Sequence, residues 1–244
     1  MATKTILMAS LSALSALSPV WAEEMNHAAH DMAQEHGGGI HSMYRLEADT
    51  GGGSHGSFSS WDLDGWTGTD ENKLWLKSEG SFERGKQEEG ELWAMYSRNV
   101  ATFWDAQAGV RQDFGPDAQT YAVFGFTGLA PYYFETEAHL FVSSKGDVSA
   151  RLREENDFLL TQKLILQPYA ELNAYAQDVP ERHVGAGLSD GKIGLQTRYE
   201  FTRKFAPYVD IHYGRKFGET SAIARGNGED VNETIGTIGL RLMF

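Results

Sequence analysis

From Met43 onward the chain repeats one pattern, in which every second side chain is apolar and those between are polar or charged. In Trp104–Phe114 the residues Trp104, Ala106, Ala108 and Val110 fall on one side, and Asp105, Gln107, Arg111 and Asp113 on the other. The stretch 132–142 sets Tyr132, Phe134, Ala138, Leu140 and Val142 against Glu135, Glu137 and His139. The stretch 164–176 sets Leu164, Leu166, Ala170, Leu172, Ala174 and Ala176 against Gln167, Glu171 and Asn173, and the last one sets Thr234, Ile238, Leu240, Leu242 and Phe244 against Thr237 and Arg241. A period of two belongs to strands with one apolar and one polar face. The mean hydropathy is −0.41, and no run after Ala22 is apolar enough for a spanning helix. Neither fact excludes a membrane, because a spanning strand needs only about 10 residues with every second one apolar. The 27 Gly against 6 Pro fit many short strands joined by tight turns.

A soluble antiparallel sandwich would alternate in the same way, so the arrangement of connections has to decide. Strands near 43–49, 57–66, 74–83, 91–99, 104–114, 119–127, 132–143, 147–157, 163–177, 190–201, 205–217 and 233–244 make twelve, an even number that brings both ends of the barrel sequence to one side. The first two are weakly marked, which leaves ten as the alternative. The short links Asn99–Phe103, Phe158–Gln162 and Thr202–Lys204 then share one side, the periplasmic one. The two longest connections, Asp178–Ser189 and Gly218–Asn232, are polar and fall on the other, as extracellular loops should. Trp66, Phe103, Trp104, Tyr132, Phe201, Phe205 and Phe244 lie near the short-link boundary, consistent with an aromatic girdle at the headgroups. The expected fold is all-β: an antiparallel transmembrane β-barrel over 43–244.

Residues 1–22 carry Lys4, an apolar and small-residue run from Ile6 to Val20, and the triplet Val20-Trp21-Ala22, the pattern of a secretory signal peptide. Residues 23–42 show almost no apolar periodicity and are expected to form a disordered periplasmic arm. Between Met25 and Met43 stand His27, His30, Met32, His36 and His41, so half of the chain's 8 His crowd into this one stretch. There is no Cys, so any soft-metal site must use thioether and imidazole. That donor set suits Cu+ or Cu2+, with zinc and nickel as competitors, whereas Ca2+ or Mg2+ would need a carboxylate cage. Without residues 1–22 the chain keeps 34 acidic against 20 basic residues, because only Lys4 of the 21 is removed. This balance favours cations and disfavours nucleic acid.

The polar faces of the strands carry Lys77, Glu79, Asp105, Arg111, Glu135, Glu137, His139, Arg151, Arg153, Glu155, Asp157, Glu171, Arg198, Glu200, Asp210, His212 and Arg241. Mixed charges in a narrow lumen pair with one another, so a structural salt-bridge plug is one reading. A cation path is the other, with Glu135, Glu137 and His139, spaced two apart, and His212 as candidate ligands. His139 and His212 are the only candidate bases on strands, but G-x-S-x-G, H-E-x-x-H and phosphate-loop patterns are absent from the sequence. A barrel hydrolase and a small general porin are therefore the rival readings, and the expectation is a non-enzyme.

Several long stretches carry a family resemblance: D-G-W-T-G-T-D-E-N-K-L-W-L-K-S-E (64–79), Y-S-R-N-V-A-T-F-W-D-A-Q-A-G-V-R (96–111), G-L-A-P-Y-Y-F-E-T-E-A (128–138), L-L-T-Q-K-L-I-L-Q-P (159–168) and F-A-P-Y-V (205–209). Together, and in this order, they resemble the copper resistance protein B family of Gram-negative bacteria. The resemblance implies an outer-membrane protein of a copper-tolerance system with a periplasmic Met/His-rich extension that binds copper. The expected partners are copper ions, outer-membrane lipid and periplasmic copper-carrying proteins, with the barrel acting as a monomer.

Overall fold

The computed structural model describes residues 39–53, 56–115 and 118–244. The expected signal segment and the candidate arm ligands Met25, His27, His30, Met32 and His36 lie outside the described residues. The alternating stretches become twelve long strands: β1 (His41–Gly53), β2 (Gly56–Gly68), β3 (Asn72–Glu83), β4 (Lys86–Ala101), β5 (Trp104–Asp113), β6 (Thr120–Ala130), β7 (Phe134–Ser143), β8 (Val148–Glu155), β10 (Leu164–Tyr175), β11 (Gly187–Tyr199), β12 (Phe205–Lys216) and β13 (Asn232–Met243). A two-residue piece, β9 (Phe158–Leu159), pairs with the start of β10, where β8 has already ended. Every pairing is antiparallel, and β13 pairs with β1, so the sheet closes on itself. The seam ends where Tyr44 and Phe244 exchange N–H to carbonyl hydrogen bonds of 3.0 Å. Closure satisfies both sides of every strand, the condition for crossing a bilayer with strands.

Polarity is inverted relative to a soluble core. Leu74, Val110, Phe124, Leu140, Ile193, Val209 and Ile238 are exposed on the outer face, while Lys77, Asp105, Arg111, Gln167, Arg198, Asp210 and Arg241 are buried inside. A water-soluble sandwich would bury the first set. Only lipid outside and a polar lumen inside account for both faces.

One end of the barrel, the turn end, carries the connections 69–71, 102–103, 131–133, 156–163 and 200–204. The loop end carries both long connections, 176–186 and 217–231, as the alternation predicts. Its other four connections, 54–55, 84–85, 114–119 and 144–147, are short, so length follows side only for the two long loops. The second long loop contains α1 (Gly218–Asn227), which ends on Gly228 at a φ of 75°. Gly185 of the first long loop donates its N–H to the Thr220 hydroxyl on α1 at 3.1 Å, which ties the two loops together.

Three local expectations shift. β1 and β2 run several residues beyond the visible alternation, because ladder bonds are made by backbone and the Gly51–Gly53 run pairs without an apolar signal. Tyr132 leaves the strand for a 3-10 turn, Pro131–Tyr133, and takes a φ of 67°. Phe103, Tyr132, Phe201 and Phe244 are exposed at the turn end as a girdle requires, but Trp66 is not among them. Trp66 shares the parity of Asp62 and Asp64, and Lys73 Nζ stands 5.5 Å over its ring on the lumen side.

Candidate functional site

The lumen is filled by a network of ion pairs. Lys77 Nζ donates to both carboxylate oxygens of Glu137 (2.5 and 2.6 Å) and lies 3.2 Å from Asp64. Arg151 forks onto Glu91 (3.0 and 3.3 Å), and Arg153 stands between Asp62 (3.4 Å) and Glu79 (3.5 Å). Nearer the turn end Arg45 meets Glu155 at 3.2 Å, and Arg241 bonds Glu47, Gln196 (2.9 Å) and Gln167 (2.8 Å). Arg198 shares the Gln167 carbonyl at 2.9 Å and pairs with Asp157. Buried charges persist only when partnered, and removing one member of such a pair leaves the other stranded. Arg45, Glu47, Asp49, Asp62, Asp64 and Glu91 belong to this inner face although the sequence reading did not name them. The signal was available, since Arg45, Glu47 and Asp49 alternate with Tyr44, Leu46 and Ala48.

The candidate ligands are dispersed through this network. Glu135 is exposed at the turn-end mouth, Glu137 is held by Lys77, and His139 is buried deeper along the same strand. His139 is 3% exposed. Its Nε2 bonds Gln107 Oε1 at 2.8 Å, reaching from β7 across β6 to β5. That reach passes over Gly125, where an added Cβ would come within 2.5 Å of the imidazole. Its ring lies edge-on to Trp93 at 5.3 Å, and Lys77 and Arg151 also lie over that indole, at 6.0 and 5.6 Å. The hydrogen bonds of the two lumen imidazoles among the described residues go to Gln107 and to Asp210.

His212 sits on the opposite wall. Its Nδ1 is 2.8 Å from Asp210 Oδ1, and the Tyr169 hydroxyl donates to the same oxygen at 3.1 Å. Tyr169 is on β10 and Asp210 on β12, so the tyrosine must cross β11. It does so at Gly194, where a Cβ would stand 2.3 Å from the tyrosine ring. At the start of β1, His41 and Met43 share the parity of Arg45 and Glu47, so the last two candidate ligands of the His/Met stretch belong to the barrel wall rather than to the arm. Among the described residues no group of three or more His, Asp and Glu side chains is set to hold a metal ion.

Two cavities lined by described residues bear on the candidate ligands. One of about 460 Å³ is lined by His212, Asp210, Asp49 and Phe58 among others, and its lining holds 10 carboxylates against 6 Lys and Arg. The other, of about 850 Å³, lies under the long loops and includes Arg182, His183 and Glu229. Arg182 reaches down from the first loop to Asp113 at 2.9 Å and to the Tyr121 hydroxyl. Lys216, the last residue of β12, donates to Glu229 of the second loop at 2.9 Å and holds that carboxyl below the usual carboxylate range.

A closed twelve-strand barrel with a charged lumen and an apolar exterior defines a porin-like protein of the bacterial outer membrane. Its fold is shared with the NanC porin, at a TM-score of 0.57 and 14% identity over 81% of this chain and 98% of that one. It is also shared with the KdgM porin in complex with disordered oligogalacturonate, at 0.50 and 12%, over 84% and 99%. The family model for copper resistance protein B precursor (CopB) matches residues 40–244, and the chain belongs to that family. It is 43% identical over 222 residues to a copper resistance protein B homolog of Pseudomonas syringae pv. tomato, covering 89% of this chain and 75% of that protein. It is 44% identical over 186 residues to the copper resistance protein B of Escherichia coli, covering 76% of this chain and 63% of that one. It is therefore an outer-membrane barrel of the copper-resistance class.

Proposed function

We propose that this barrel serves copper resistance by binding copper ions at its periplasmic face and admitting them to the lumen. Met25, His27, His30, Met32, His36, His41 and Met43 act as successive ligands. The observation that carries this reading is the start of β1 at His41: the His/Met stretch ends on the lumen face of the turn end, so its final ligands stand at the barrel mouth. Beyond them lies a cavity whose lining has more carboxylates than cations, which favours entry of a metal cation. The turn end faces the periplasm, and periplasmic copper carriers are the partners that would deliver the ion. Glu135, at the same mouth, adds an exposed carboxylate, while Glu137 and His139 hold the wall together.

The test replaces His27, His30, His36 and His41 with Ala and Met25, Met32 and Met43 with Leu. The variant is expected to lose most of its copper binding in detergent micelles and to lose copper tolerance in cells. Unchanged tolerance would leave the chain a small general porin to which the stretch is irrelevant. Imidazole must shed its proton to bind a metal, so affinity in the unaltered chain falls as pH drops through about 6.5.

A further inference from the structure

The two lumen imidazoles look alike in sequence and differ in what their free nitrogen meets. His139 spends Nε2 on Gln107 and is packed against Trp93 beneath two cations. His212 spends Nδ1 on Asp210, takes no partner at Nε2, and its side chain, 11% exposed, lines the acidic cavity. A carboxylate only accepts, so the proton of His212 sits on Nδ1 and the lone pair of Nε2 is directed away from Asp210.

We propose that His212 Nε2 is a binding point for a borderline transition-metal ion inside the lumen, Cu2+ in this protein, with Asp210 as the residue that positions it. The inference rests on copper being the cargo, as argued above, and adds a second station independent of the His/Met stretch. Metal-binding imidazoles characteristically donate their other N–H to a carboxylate, which fixes ring and tautomer. Here that carboxylate is itself fixed, because Tyr169 crosses Gly194 to bond the same oxygen. Asp210 is 5% exposed, yet its Oδ2 has no hydrogen-bond partner, and neither does the hydroxyl of Thr237, the residue opposite it in the β12–β13 register. Asp210 therefore has no competing hydrogen bond at that oxygen, and its hold on His212 runs through Oδ1 alone. A nitrogen donor selects Cu2+, Zn2+ or Ni2+ over Ca2+ or Mg2+. One imidazole without a cage of further ligands binds weakly, as a stopping point on a path requires: an ion must be able to leave.

The experiment uses the full chain without a tag, folded in detergent micelles. The seven ligands of the His/Met stretch are replaced as above, and His55 and His183 are changed to Ala. His139 and His212 are then the only imidazoles. Cu2+ is titrated in, and imidazole nitrogen coordination is read by pulsed electron paramagnetic resonance, with heat-modifiable gel mobility reporting that each variant is folded. One imidazole per bound Cu2+ is expected. His212→Ala should abolish the signal, with His212→Gln as the polar replacement should the alanine variant fold poorly. His139→Ala should leave it intact, and Asp210→Asn should weaken binding about ten-fold or more. A signal that survives loss of His212, or no imidazole signal in this background, overturns the assignment. Because the His/Met ligands are already absent, this result stands or falls separately from the periplasmic reading.

Discussion

The wall made by β4–β7 and the wall made by β11–β13 with β1 face each other across one lumen and fill it differently. On the first, Trp93, Met95, Tyr121, Val123 and Phe141 form a buried cluster, and Arg111 lies over three of those rings at 5.5, 5.1 and 4.9 Å. On the second, Asp49, Asp210 and His212 face the cavity of about 460 Å³, and none of the residues that line it belongs to β5, β6 or β7. Each wall pairs most of its charged groups and each leaves a buried polar atom without a partner, Gln107 Nε2 on the first and Asp210 Oδ2 on the second, so pairing does not separate them. What differs is where space remains: the cluster packs around Trp93 on the first wall, and its Tyr121 and Phe141 border the cavity under the long loops, whereas the cavity of about 460 Å³ opens along the second wall.

The largest expected effect is on the filled wall. Trp93 is 1% exposed. Trp93→Ala is expected to cost about 3–5 kcal/mol of stability, measured by denaturant unfolding in micelles, and to widen the lumen enough to raise single-channel conductance. A cost under about 1 kcal/mol would mean that the cluster does not bear on the wall at all. On the open wall, Gly194→Ala forces Tyr169 off its path and is expected to cost about 1–3 kcal/mol in the same measurement. It should also lower Cu2+ affinity through the freed Asp210, which a packing defect elsewhere would not do. The smallest effect is expected at the rim, where Glu229 is exposed and bonded to Lys216. Glu229→Gln should change global stability by no more than about 0.5 kcal/mol. Since the folded carboxyl titrates below its unfolded value, its contribution is present above about pH 4.3 and is lost as pH falls through the folded pKa. Limited proteolysis of the second loop in the wild type should therefore quicken at low pH more than in the variant.

Much of this architecture was legible in the alternation. The faces of β5, β7, β10 and β13 follow residue by residue, because a strand between lipid and a polar lumen has no third environment to confuse the period. The ends of β1 and β2 were not legible, since glycine and serine carry ladder bonds without marking a face. Trp66 was misplaced for a related reason: an aromatic near a strand end suits the headgroups equally well, and only its parity with Asp62 and Asp64 decides. Least legible was the bonding inside. Lys77 meets Glu137, and Arg153 meets Asp62, across the lumen. Alternation tells which residues point inward but not which of them meet there. For the same reason His139 and His212 could not be ranked from sequence, because what separates them is supplied by Gln107 two strands away and by Tyr169 passing over Gly194.

The missing side chain at Gly194 has a mechanical consequence. Neighbouring strands in a barrel are joined by their ladders, and strands two apart are ordinarily joined only through the one between them. The Tyr169–Asp210 hydrogen bond links β10 directly to β12 above β11, as a brace links two studs past the one between. Bending that part of the wall inward or outward must then stretch a bond that the ladder does not contain. The section of barrel that carries the open cavity is in this way stiffened without being filled.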